Sequence, residues 1–363
     1  MKIFSKCHLE KLPNDLRVIG QEDNRFKSIS LGLWFNYGSR DELPDQQGIT
    51  HLIEHLIFRG TSNRSAYDIT STVDKLGGKI NGGTGREYLL IYIDVLPEGL
   101  EKAIELISDL VKNPLFDPQA MEIEKGVVNE EIRSSRDNPQ NQVIHLFREA
   151  LWGRGNGLSV RVTGDEKTLN GLNRQQIINR FENMRSGPNM VLSASGKLNY
   201  KELYKLSSNY LNDLKKEKTK RNLPENKPHE EEKVRSTSRD LNQTHISLGV
   251  ESLEKGNEKR YPLEMLNVIL GNGMSSRLFR RVRKEKGLVY HITTNTEYLS
   301  DTGSFLIYAA TDRNNLVHVA DLIEEEMKKI RNEPVSDKEL ELAKAKIKGN
   351  TVLGLESNQA NMI

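Results

Sequence analysis

Cysteine is nearly absent: the 363-residue chain has one, Cys7. A disulfide framework and a cysteine-rich metal site are both excluded, so any metal must be held by His, Asp or Glu. An excess of charge is also missing. The 53 basic residues stand against 51 acidic ones, a net charge of +2. That leaves no basic footprint for nucleic acid and no acidic tail. No apolar run is long enough to span a bilayer. The opening stretch, MKIFSKCHLEKLPNDLRVIG, has no apolar core of a secretion signal. The expectation is a cytoplasmic protein with neither a nucleic-acid nor a membrane partner. What is present is the mixture of a globular protein, 36% hydrophobic and 29% charged. The length suits two domains.

A first module is expected over residues 1–220 and a second over 241–363. Between them, residues 214–240 (LKKEKTKRNLPENKPHEEEKVRSTSRD) are charged, poor in large apolar residues and contain two prolines, the composition of a linker. The modules look alike. SISLGLWF (28–35) is echoed by HISLGVES (245–252). LLIYIDV at 89 and FLIYAAT at 305 each lead through a short turn into a long amphipathic helix, a proline turn and a capped helix. Strand runs and helices alternate without parallel βαβ spacing. An α+β fold follows, with two similar modules, each a mostly antiparallel sheet carrying helices on one face. The final stretch from Ser336 reads as a helix that runs to Ile363 without a cap, so an incomplete C-terminus is expected.

One stretch of the first module carries an unusual polar set. In GITHLIEHLIFRGT (48–61), Ile49, Leu52, Ile53, Leu56 and Ile57 form one stripe at helical spacing. His51, Glu54, His55 and Phe58 fall on the opposite face. Two imidazoles at i and i+4 point the same way, about one turn apart, and reach a single zinc ion. Glu54 lies between them, placed to take a proton without ligating. A lone histidine on an apolar helix is commonly a core residue satisfied by carbonyls; two with an acid between them are rarer. The repeat supplies a control. Sliding LIEHLIFRG (52–60) onto MLNVILGNG (265–273) sets Glu54 against Asn267 and His55 against Val268. The scaffold does not need these polar residues for packing.

Zinc needs a third protein ligand and an open position. FDPQAMEIEKGVVNEEIRSSRDNP offers Asp117 as N-cap and Pro118 as first helical residue. Met121, Val128, Ile132 and Ser135 mark its buried stripe, and Glu124 and Glu131 fall on the same stripe. These two carboxylates are about 10 Å apart along a helix, too far to bind one metal together. One ligates and the other orients a ligand from behind. The corresponding helix of the second module has no such acid pair.

HLIEH is the inverted zincin pattern. With EIEKGVVNEE about 70 residues on, the chain resembles the pitrilysin/insulinase family of zinc peptidases, which includes bacterial processing proteases and the mitochondrial processing peptidases. The likeness runs over nearly the whole chain. It implies that His51, His55 and Glu131 are ligands of one Zn²⁺ per chain, that Glu54 is the general base and that Glu124 is a supporting acid. GGKINGGTGREY (77–88) resembles the segment holding the edge strand that accepts a peptide. The family usually has Asn-Ala-x-Thr there, and this chain has Asn81-Gly82-Gly83-Thr84. SSRLFRRVRKEKGLVYHI resembles the substrate-clamping segment, with Arg283 and Tyr290 matching its Arg and Tyr.

The resemblance thus implies a zinc-dependent endopeptidase acting on extended peptides. It also implies a clamshell half that pairs with an identical chain or with an inactive relative. The alternatives are a non-catalytic binding or assembly subunit and a metal-dependent hydrolase of other substrates. Retention of the full His-Glu-His-Glu set argues against the first. The edge strand and the clamp segment argue against the second.

Overall fold

The computed structural model of the protein describes residues 6–219, 221 and 233–363. In chain order the elements begin β1 (Cys7–Lys11), β2 (Arg17–Glu22), β3 (Ile29–Phe35), α1 (Ile49–Ile57), α2 (Ala66–Lys75), β4 (Lys79–Thr84) and β5 (Leu89–Val95). They continue with α3 (Leu100–Lys112), α4 (Pro118–Asp137), α5 (Pro139–Trp152), α6 (Glu166–Gly171), α7 (Arg174–Met184), β6 (Met190–Gly196) and α8 (Tyr200–Leu211). Then come β7 (Thr244–Ser252), α9 (Arg260–Leu270), a π-helical segment Phe279–Glu285, β8 (Val289–Tyr298), β9 (Gly303–Thr311), α10 (Leu316–Asn332), α11 (Asp337–Gly354) and α12 (Asn358–Met362). No helix among the described residues is long and apolar enough to cross a membrane.

The fold is α+β and divides into two units. The first contains a six-stranded sheet in the order β1-β2-β6-β3-β5-β4. Its pairs are antiparallel except β2 with β6. Alternate residues of β3 and β5 (Leu31, Leu33 and Phe35; Leu89, Ile91 and Ile93) enter a core with α1, α3 and α7, as the period of two in a strand requires. The second unit contains an antiparallel sheet in the order β7-β9-β8. Phe305, Ile307 and Ala309 of β9 enter its core with Leu270 of α9 and Val319, Leu322 and Ile323 of α10.

The units are not two consecutive blocks. The first takes described residues from Met1–Ser134, Gly155–Glu225 and Gly354–Ile363, and the second from Ser135–Arg154 and Asn226–Leu353. The expected boundaries at 220 and 241 therefore miss an exchange of segments. Its cause is visible in the strands. Every residue of β9 is buried, so its second face, Leu306, Tyr308 and Ala310, needs a cover, and Phe147 of α5 supplies it. An apolar run without alternation marks a strand buried on both faces. In the first unit α12 covers the far face of the sheet, with Met362 filling the space beside Gly32. The centre of the expected linker, residues 222–232, lies outside the described residues. At its start, Leu214 is buried in the first core and Arg221 pairs with Asp41.

The helix expected to run from Ser336 to Ile363 is two helices. It stops at Gly354, and the Ser357 side chain accepts the Ala360 N–H to start α12. Asn358 then donates to Ser28 O and Oγ at 2.9 Å, tying the new helix to the first sheet.

Candidate active site

The site is built on α1 and α4, both in the first unit at this point of the chain. Gly48 enters α1 at φ +91°, and a Cβ there would lie 2.5 Å from Thr163 O, so glycine is required twice over. The free N–H groups of the first turn are capped from upstream. The Glu42 carboxyl accepts from Gly48 N at 2.7 Å and Thr50 N at 2.9 Å. Burial pushes the Glu42 carboxyl up to about 7, against the pull of those two N–H groups. Ile49, Leu52, Ile53, Leu56 and Ile57 are all buried, as the helical stripe requires. Burial of each contributes about 1.5–3 kcal/mol, which anchors the helix and frees its other face for chemistry.

That other face presents His51, Glu54 and His55, all half-buried. The two imidazole centroids are 4.8 Å apart. Burial, followed by the neighbouring His55, lowers the His51 pKa to about 4. A neutral imidazole is the form that ligates a metal. The Glu54 carboxyl is raised above its ordinary value by burial, opposed by a hydrogen bond from Thr84 Oγ1 to Glu54 Oε2.

On α4, Asp117 Oδ1 accepts the N–H groups of Gln119 and Ala120. The two acids on the expected stripe part ways. Glu124 is buried at 3% side-chain exposure, in line with Met121, Val128 and Ile132. Glu131 stands at the rim with 45% exposure, and Ser135 is only half-buried. The seven-residue spacing does not itself cause the difference, since Met121 and Val128, also seven apart, are both buried; packing around the C-terminal part of α4 sets it.

The carboxylates also face different atoms. Glu124 Oε2 is 2.9 Å from His55 Nδ1, and its Oε1 pairs with the Arg59 guanidinium. Glu131 Oε2 is 3.6 Å from His51 Nε2, and Glu131 Oε1 is 3.7 Å from His55 Nε2. Those gaps exceed the about 2.7–3.2 Å of an N–H···O bond. They approach the roughly 3.4 Å separation of two ligand atoms in a tetrahedral zinc site. One ligand atom from each of His51, His55 and Glu131 lies within 4.8 Å of the others. The donor set of two imidazoles and one carboxylate suits zinc, and the His55 Nδ1 bond to Glu124 leaves its Nε2 for the metal. These residues fit a zinc ion.

Glu54 lies against β4, at the edge of the first sheet. Asn81 is exposed on that strand, and its Oδ1 accepts the Gly82 N–H at 2.8 Å. In the second unit, Arg283 lies in the π-helical segment and its guanidinium sits 5.2 Å from the Tyr290 ring centroid. The segment closes at Gly287, whose φ is +65°. Tyr290 is the extra residue of a bulge between β8 and β9, and it is 76% exposed. A bulge re-aims a side chain in this way. Two residues of this neighbourhood have no role in the sequence reading, Glu42 and Arg59, and a third, Thr84, figures there only as the last residue of the edge-strand motif. Arg59 is one turn beyond His55, a signal available in the sequence. Glu42 carries none, and the motif that holds Thr84 does not name its partner, because both partners are set by packing.

Comparison with known proteins places these residues in context. A family model described as insulinase, peptidase family M16, matches residues 17–164, which include His51, Glu54, His55, Glu124 and Glu131. A model described as the peptidase M16 inactive domain matches residues 171–347, which include Arg283 and Tyr290. The uncharacterized zinc protease YmxG of Bacillus subtilis is 33% identical over 352 residues, 96% of this chain and 84% of that protein. The uncharacterized zinc protease SCO5738 of Streptomyces coelicolor is 32% identical over 357 residues, 97% and 78% of the two chains. Among solved structures, a protease from Helicobacter pylori aligns with a TM-score of 0.89 at 21% identity, over 98% of this chain and 87% of that one. A peptidase M16 inactive domain from Pseudomonas fluorescens aligns at 0.87 and 18%, over 98% and 85%. The two structural matches speak to the fold.

Proposed function

From the premise that this chain belongs to the insulinase family, peptidase family M16, we propose that it is a zinc-dependent endopeptidase acting on extended peptides. The carrying observation is the convergence of His51 Nε2, His55 Nε2 and the Glu131 carboxylate beside Glu54. Held by those three residues, zinc would supply a Lewis acid for the scissile carbonyl and would acidify a water. Glu54 accepts the proton of the attacking water and returns it to the departing amine. Its raised pKa suits a base that must also give the proton back. Glu124 orients His55 through Nδ1, and Arg59 holds Glu124. The substrate adds as a strand to the free edge of β4 near Asn81, so backbone bonds give affinity with little sequence demand. Arg283 and Tyr290 are assigned to substrate binding on the family resemblance, with one zinc ion per chain and pairing with a second chain, identical or related.

A second reading is a non-catalytic member of a paired assembly. What favours it is the match of residues 171–347 to an inactive-domain model. The test is digestion of a mixed peptide library by the zinc-loaded protein, with and without chelator, beside Glu54→Gln. Chelator-sensitive cleavage lost in Glu54→Gln supports the peptidase. Absence of cleavage by the native chain, alone and with a co-purified related chain, supports the second reading.

A further inference from the structure

The second unit repeats the strand-and-helix frame of the site without its metal residues, and the repeat exposes how Glu54 is seated. Thr84 pairs with Leu89 at the start of LLIYIDV, and Thr296 pairs with Phe305 at the start of FLIYAAT. Thr84 and Thr296 are therefore equivalent positions. Both hydroxyls donate to a carboxylate on the helix that covers them: Thr84 to Glu54 of α1, and Thr296 to Glu264 of α9. By the same register Gly82, opposite Ile91, is equivalent to Thr294, opposite Ile307. In the second unit the Thr294 side chain occupies the gap between strand and helix and donates to Asn267 O at 2.9 Å. In the first unit that gap holds the Glu54 side chain instead. A Cβ on Gly82 would lie 2.6 Å from Glu54 Cγ and 3.1 Å from its Oε1.

We propose that Thr84 is a positioning residue for the general base, and that Gly82 is the gap in which the base lies. This rests on the peptidase reading for its catalytic consequence. A glutamate side chain has three rotatable bonds, and a base must be held near one geometry to act. Thr84 fixes Oε2 by a charge-assisted bond and leaves Oε1 for the water. Gly82 keeps the strand backbone close enough for that bond to form.

The test uses the zinc-loaded full chain with Thr84→Val, which keeps the shape and removes the donor, and Thr84→Ser, which restores the donor. Expected results for Thr84→Val are a kcat lowered roughly tenfold to a hundredfold, a KM within about twofold, and unchanged zinc content and melting temperature. Thr84→Ser is expected to recover most of the native kcat. In crystal structures of the zinc-loaded forms, the Glu54 carboxyl keeps its place in Thr84→Ser and swings away in Thr84→Val. Gly82→Ala is expected to displace the carboxyl and lengthen its bond to Thr84. An unchanged kcat in Thr84→Val, or Thr84→Ser as poor as Thr84→Val, overturns the proposal. If the native chain and Glu54→Gln are equally inactive, the peptidase reading fails separately. The crystal structures then decide: an unmoved Glu54 in Thr84→Val overturns the positioning role, and a displaced one supports it.

Discussion

Two helices of this protein occupy equivalent places over equivalent strands, and only one is furnished for a metal. On α1, His51, Glu54 and His55 face Glu124 and Glu131 of α4. On α9 the corresponding positions are Glu264, Asn267 and Val268, and on α11, the counterpart of α4, they are Ala343 and Asn350. The α9 set bonds mainly within itself and to β8, although Asn267 Oδ1 is left without a partner among the described residues. Glu264 takes the Thr296 hydroxyl and lies 3.3 Å from Asn267 Nδ2. Burial and Glu264 together push the Tyr298 phenol up. The α1 set is not closed in this way. The Glu131 oxygens approach His51 Nε2 and His55 Nε2 only to beyond hydrogen-bond distance, and His51 Nδ1 is buried with no partner among the described residues. Each set has one orphaned atom; only on α1 do several lone pairs converge unbonded, the arrangement that something else would bind.

The largest expected contrast is at the paired positions Glu54 and Asn267. Glu54→Gln lowers kcat by roughly 10²–10⁴-fold with zinc content unchanged, whereas Asn267→Gln acts only on melting temperature. Steady-state kinetics and metal analysis separate the two, and an equal loss of kcat in both would erase the contrast. Next come the buried positions Glu124 and Ala343, at 2% and 1% exposure. Glu124→Gln is expected to weaken zinc affinity about 10–100-fold. Ala343→Glu places an unpaired acid in a core and should destabilise by about 1–3 kcal/mol or more, read as a lower urea midpoint with zinc affinity intact.

A smaller effect concerns how α11 is held. Arg277 bonds both oxygens of Glu339, at 2.6 and 2.9 Å, while Ser336 donates through N and Oγ. The Arg277 guanidinium is the main cause that lowers Glu339 to about 2. Its folded pKa lies below the unfolded value, so the stabilisation is full above about pH 4.5 and is lost as pH falls towards 2. Urea midpoints measured between pH 5 and pH 3 should fall less in Glu339→Gln than in the native chain. The smallest effect is expected from a graft. Glu264→His combined with Val268→His should leave the metal content at one zinc per chain, because Ala343 and Asn350 offer no carboxylate. Stoichiometric uptake of a second zinc would show that two imidazoles suffice on this frame.

Much of this was legible in the residues. The apolar stripe of α1 and its polar back face follow from spacing alone, since a 3.6-residue period leaves no other arrangement. The repeat of LLIYIDV in FLIYAAT marked equivalent strands. The exchange of α5 and α12 was not legible as a boundary, although the unbroken apolar run of β9 signalled a strand covered on both faces. The continuous helix expected at the C-terminus failed because Ser357 offers the backbone a new cap, a local competition that helical periodicity does not register. Glu42, six residues before Gly48, reaches the N–H groups of α1 only through the turn that Gly48 permits.

The chain by itself determined which helix carries the His-Glu-His set and that two acids seven residues apart lie on a second helix. Spacing along one helix said only that both acids could not ligate together. Tertiary packing divided their roles: it buried Glu124 against His55 Nδ1 and Arg59 and left Glu131 at the rim facing the two Nε2 atoms. Packing likewise brought the Thr84 hydroxyl onto Glu54, through the gap at Gly82. Periodicity along a chain fixes which face a residue is on. The distance between faces, and so which atoms meet, is fixed only when the elements are pressed together.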